Sequence, residues 1–141
     1  MQVGERRLRV LRWIIGFGIA STGLHFTHNY VAIDRYPSDL VDGAIVQVAI
    51  VLFWPLFTAV ALYAYRLYAT GRRERAHPLL LAYSLFALTT LGHFLDGTPD
   101  IAPFWFATIF TDALAGLAMM AFVVWSLRSG AAGAQRGFAS G

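Results

Sequence analysis

The sequence predicts an all-α membrane protein built as a bundle of four transmembrane helices. Three observations predict it: a composition too apolar for water, four apolar runs long enough to cross a bilayer, and arginines gathered at alternate ends of those runs. Of 141 residues, 57% are hydrophobic and 13% charged, about half the roughly 25% charged share of a soluble domain. A bilayer's hydrocarbon core takes about 20 apolar residues of helix. Runs of that size cover 12–30, 44–69, 78–95 and 104–127.

The first run follows Arg6, Arg7, Arg9 and Arg12 and superficially has the layout of a signal peptide. It continues into Leu24, His25 and Phe26 with no small-residue cleavage pattern, so it is expected to stay as a helix. Asp42 before Gly43 is a capping signal for the second run. Pro55 interrupts that run, withdraws the donor to the carbonyl of Val51 and predicts a kink. Pro78 and Pro103 are expected at helix starts, where a missing N–H costs nothing. From Ser129 onward the chain is rich in Gly, Ala and Ser, predicting one transmembrane domain over 1–128 and a flexible cytoplasmic tail over 129–141.

Ten of the eleven arginines lie before the first run, at or between the facing ends of the second and third, or after the fourth. The opposite loops hold Asp34, Asp39, Asp42 and Asp100 with Arg35 alone. The positive-inside rule then predicts a multi-pass protein with both termini cytoplasmic, as in the bacterial inner membrane. Trp13, Trp125, Tyr63, Tyr65 and Tyr68 read as anchors at the cytoplasmic interface, and Trp105, Tyr30 and Tyr36 as anchors at the outer one. The net charge of +3 is spent on this asymmetry, and no nucleic-acid partner is expected. With no cysteine in the chain, disulfides, thiolate metal sites and covalently attached haem are excluded.

A shift of 68 positions aligns the segment around Ser21, Thr22, His25 and Phe26 with that around Thr89, Thr90, His93 and Phe94. Such a repeat implies two tandem hairpins related by a pseudo-two-fold axis along the membrane normal. His25 and His93 would share one depth.

Ionisable groups within spans are costly, and they face the bundle interior or a cavity. Ser21, His25, His28 and Asn29 follow helical three- and four-residue spacing, as do Thr89, Thr90, His93 and Asp96. The second run adds Gln47 and the fourth adds Thr111 and Asp112. All fall in the outer half, predicting an outward-facing polar pocket above a cytoplasmic plug of Phe17, Leu56, Phe57, Phe86, Met119 and Met120. Ser21, Thr22, Thr89 and Thr90 are expected to bond carbonyls of their own preceding turns. The loop 34–42 is read either as capping plus a local Asp–Arg pair or as a lid.

Histidine titrates near neutrality and suits proton transfer. The first functional expectation is an enzyme acting by acid–base chemistry on a lipophilic molecule such as an isoprenoid, sterol or quinone. His25, His93 and Asp112 would be catalytic, and Asn29, Gln47, Thr111 and Tyr36 would line the substrate pocket. The alternative is a metal or haem site. His25, His28, His93 and Asp96 offer nitrogen and oxygen ligands, or His25 and His93 hold a haem b between helices. A third expectation is a non-catalytic accessory subunit, a homo-oligomer or part of a larger membrane complex, with the polar groups as interhelical glue. The general plan is similar to that of sterol-isomerase-type membrane enzymes. No motif matches theirs residue by residue, so no role is carried over.

Overall fold

A computed structural model describes residues 3–36, 42–95 and 97–138, with side chains described over 4–36, 42–95 and 97–129. Among the described residues the chain forms four α-helices and no strand: α1 (Val3–Val31), α2 (Gly43–Ala69), α3 (Arg73–Leu88) and α4 (Pro103–Phe138). Short 3₁₀ segments follow α1 at Ile33–Arg35 and α3 at Thr89–Phe94. Side-chain pairs set the register. Arg12 meets Tyr65, Trp54 meets Thr22, and Ser21 meets Asp112. His77 meets Ser126 near one end, and His93 meets His25 near the other. The helices therefore run up, down, up and down.

Burial follows helical spacing on α1, at Leu11, Ile15, Ser21, Thr22, His25 and Asn29, and on α4, at Ile109, Asp112, Ala115, Met119, Phe122 and Ser126. Each helix turns one stripe inward. The apolar core lies at the arginine-bearing end, around Leu11, Ile15, Leu67, Leu80, Tyr83, Met119 and Phe122. Small residues allow the closest helix approaches. A Cβ at Gly116 would stand 2.8 Å from the Ser84 carbonyl oxygen, and the Ser84 hydroxyl donates to the Gly116 carbonyl at 2.7 Å.

Two helices, α2 and α4, are long and apolar enough to cross a membrane. The other two fall short for a physical reason. α1 carries the polar side chains of the site, and α3 is only 16 residues long before its hydrogen bonding changes. The two differ from each other too, since α1 stays α-helical through His25 while the segment aligned with it by the 68-residue shift is 3₁₀.

Several sequence expectations are corrected here. Pro78 lies inside α3, which begins five residues earlier at Arg73. Phe17 and Leu56 point outward, being 44% and 53% exposed, while Met119 is buried in the plug as expected. Tyr36 and Tyr68 are buried rather than interfacial. Tyr68 bonds Ser126, which also bonds His77, so a polar cluster occupies the end expected to be apolar. The Asp42 cap is as expected, its carboxylate accepting from Ala44 N at 2.8 Å. The α4 backbone stays helical through the alanines beyond Ser129 as far as Phe138, alanine being the strongest helix former.

Candidate functional site

The site forms where the C-terminal part of α1 and the segment after α3 meet the first half of α4. On α1, Ser21, His25 and Asn29 succeed one another at four-residue intervals and so share a face. The 3₁₀ segment after α3 brings His93 onto that face. Nε2 of His25 and Nε2 of His93 lie 3.1 Å apart, and Nδ2 of Asn29 lies 3.2 Å from the same His93 nitrogen. Behind His25, its Nδ1 is 3.6 Å from Oδ2 of Asp112, with both side chains fully buried. The Ser21 hydroxyl donates to the other Asp112 oxygen, Oδ1, and meets Thr111 Oγ1 at 2.7 Å. Asp112, His25, His93 and Asn29 thus line up as one polar series, hydrogen-bonded from Asn29 through His93 to His25 and open by 3.6 Å between His25 Nδ1 and Asp112 Oδ2, both of which are buried without a hydrogen-bond partner.

No family model matches the chain, and no curated protein or solved structure matches it.

Proton positions in the series are interdependent. A contact between two imidazole nitrogens needs one to donate and the other to accept. If Asn29 N–H donates to His93 Nε2, His25 Nε2–H donates there too. His25 Nδ1 is then a bare acceptor facing the Asp112 carboxyl. Turning the Asn29 amide over presents Oδ1, which is buried without a partner, as an acceptor for a proton on His93 Nε2. His25 then accepts at Nε2 and turns Nδ1–H toward an Asp112 carboxylate. At equal proton count His93 is an imidazolium in the second arrangement, and the two differ by the turn of the Asn29 amide and by proton shifts from Asp112 to His25 and from His25 to His93, the first across the 3.6 Å gap.

Tyr36 closes this series on the outer side. Its ring centroid lies 4.8 Å from that of His93, its hydroxyl is 2.8 Å from His28 Nδ1, and it is 5% exposed. Burial pushes the Tyr36 hydroxyl up to about 12, so it stays protonated, and it is hydrogen-bonded to His28 Nδ1. The loop segment behind it is pinned by the Asp100 N–H, which donates to the Arg35 carbonyl at 3.2 Å. On the α2 side, His93 and Asn29 line a cavity of about 200 Å³ whose other walls include Ile50, Phe53 and Phe86.

The four-ligand metal set is not assembled. Among the described residues, no group of three or more His, Cys, Asp or Glu side chains is placed to hold a metal ion. His28 stacks on Trp105 at 4.4 Å and bonds Tyr36, because a three-residue step on a helix rotates it off the face that Asn29 shares with His25. Asp96 lies outside the described residues. Haem between His25 and His93 does not fit this arrangement. Iron would have to stand between the two nitrogens with a macrocycle separating the rings, and the nitrogens are in direct contact.

Gln47 is placed elsewhere, donating to the Tyr30 carbonyl at 2.8 Å and tying α2 to α1. Thr111 reaches the site only through Ser21. Thr22, Thr89 and Thr90 bond carbonyls of their own preceding turns as expected. Ser21 does not: its four-residue spacing from His25 put it on the polar face, but its bond to Asp112 was not foreseen. Nothing in the sequence signalled Trp105 as the stacking partner of His28.

Proposed function

We propose that this chain spans the membrane four times with both termini in the cytoplasm, and moves a proton to or from a lipophilic substrate at His93. The membrane reading rests on what α2 exposes. Only 6% of its most apolar stretch is buried, against half of that of α4. Ile45, Val48, Val51, Leu52, Phe53 and Leu56 all lie largely open. At about 1.5–3 kcal/mol per side chain, leaving six in water forgoes on the order of 10 kcal/mol, comparable to a domain's entire stability. Hydrocarbon removes that cost. Arginines mark the end holding Arg12, Arg66, Arg73 and Arg128 as cytoplasmic.

The single observation that carries the catalytic reading is the series ending at a cavity: Asp112 behind His25, His25 against His93, and His93 on an apolar-walled space. Once Asp112 closes its 3.6 Å gap to His25, a shift of the Asp112 proton to His25 Nδ1, with the His25 Nε2 proton passing to His93, leaves an aspartate at the back and an imidazolium at the cavity. His93 then protonates a carbon or oxygen of the substrate, and the reverse shift removes a proton. Ser21 positions Asp112, and Asn29 adapts its amide to either protonation state. Substrates suited to this are isoprenoid, sterol or quinone-like. Interhelical glue would need no cavity at the end of the series.

The test is deuterium incorporation from heavy water into a panel of prenylated quinones, isoprenols and sterols, read by mass spectrometry with protein in nanodiscs. Wild-type protein should label one class, and His93→Ala should lose the labelling with its thermal midpoint retained. No labelling of any class by well-folded protein would overturn the reading. Metal or haem found in the purified protein, and lost with His25→Ala, would replace it with a redox or metal role.

A further inference from the structure

Beside the site's cavity the bundle opens into a larger apolar groove, on the face read as lipid-facing. The groove, of about 840 Å³, runs along the α1/α2 face, bounded by Ala20, Gly23 and Leu24 on one side and Val51, Trp54 and Pro55 on the other. It shares Phe26 and Ile50 with the cavity of about 200 Å³ that His93 and Asn29 line. Two facts about α2 explain the opening. All its buried residues, Ala61, Ala64, Leu67 and Tyr68, come after Pro55, so its first half packs little against the bundle. Gly23 has no side chain where a Cβ would stand 3.2 Å from the Trp54 ring, so the indole leans over α1 and forms part of the groove's wall.

We infer that this groove and cavity together bind a single-tailed neutral lipid, its tail along α1/α2 and a ring-sized polar head at His93, entering sideways from the bilayer. The inference rests on the proton-transfer reading for the chemistry at His93 but not for the tail site. Three observations commit it to this occupant. Tyr36 covers the histidines on the outer side, leaving the membrane flank as the approach. An apolar cavity of about 150 Å³ accommodates benzene, so the smaller space suits a substituted six-membered ring and not a fused sterol nucleus. The polar groups around that space are Asn29, Thr89, Thr90 and His93, with no Arg or Lys among its lining residues to receive a phosphate. A prenylated quinone or phenol has this shape and charge.

The experiment uses the full chain in phosphatidylcholine nanodiscs with a diazirine-tailed prenyl benzoquinone as probe. Adducts should map to the α1 and α2 residues of the groove and be displaced by unlabelled long-tailed quinone but not by the tail-less ring. Ala20→Trp places bulk in the groove from an exposed position, where folding is undisturbed. It should weaken displacement by about tenfold or more, the equivalent of about 1.4 kcal/mol. Ile50→Trp, at the junction, should cut head-dependent displacement while tail adducts persist. His93→Ala separates the two claims: adducts retained with deuterium labelling lost support both. Groove adducts without labelling by wild type would sink the chemistry alone. Adducts spread evenly over the outward face of α2, or no effect of Ala20→Trp, would overturn the groove.

Discussion

At the scale of single residues, the site is governed by which nitrogen or oxygen carries a proton, and Tyr36 gives the cleanest place to read that. It lies in the segment beyond α1, its hydroxyl is hydrogen-bonded to His28, and burial raises it from 10.0 to about 12. Below pH 10 the phenol is protonated in folded and unfolded chains alike, and its contribution to stability is fully present. Between pH 10 and 12 only the unfolded chain ionises, so that contribution is lost as pH rises through the folded value. Phenolate absorbance should therefore show a late component above pH 11 that is smaller by one tyrosine in Tyr36→Phe, and alkaline unfolding of the wild type should coincide with it. A Tyr36→Phe titration curve unchanged in this range would mean that the hydroxyl is open to water. Of the site itself, four-residue spacing was enough to put His25 and Asn29 on one face of α1, while the meeting of His93 and Asp112 with that face is set by how the other elements pack. The bond from Ser21 to Asp112 was not legible, since a serine has equally good partners in its own preceding turn and the tertiary carboxylate wins only once α4 is alongside.

At the scale of elements, the four helices were legible and their ends were not. Apolar length locates a helix, but whether its last turns are α or 3₁₀ depends on packing that composition does not encode. Thr89, Thr90 and Gly92 are weak helix formers, and there the backbone tightens to 3₁₀, turning His93 toward α1. Close packing has its own test on α4. A Cβ at Gly116 would lie 2.8 Å from the Ser84 backbone oxygen and 3.0 Å from Leu88. Backbone cannot swing aside as a side-chain tip can, so Gly116→Ala should lower stability by about 1–3 kcal/mol, the usual range for overpacking. Gly16, whose added Cβ would meet nothing within 4 Å, is the control. Gly16→Ala should be neutral or slightly stabilising through helix propensity. Thermal midpoints in detergent distinguish them, and equal midpoints would mean that α3 and α4 separate easily.

At the scale of the whole molecule, the decisive question is whether α1 and α3 cross the bilayer as α2 and α4 are apolar enough to do. Length does not forbid it. α3 contributes 16 residues and the 3₁₀ segment 6, about 24 Å and about 12 Å at 1.5 and 2.0 Å per residue, together enough for a core of about 30 Å. α1, with 29 residues, has more than enough. What lowers the apolar character of α1 is its arginine-rich start and the polar groups of the site, which are buried in the bundle, whereas α3 falls short by its length. If all four cross, Asp34 and Thr98 share one side of the membrane and Arg75 lies on the other. The chain has no cysteine, so single substitutions at these exposed positions report without background. In intact cells an impermeant maleimide should label Asp34→Cys and Thr98→Cys, and should reach Arg75→Cys only after permeabilisation. Labelling of Thr98 and Arg75 positions from the same side would mean that α3 does not cross. The histidine pair would then lie at the membrane surface, in reach of water rather than lipid, and both the lateral entrance and the lipophilic substrate would fall with it.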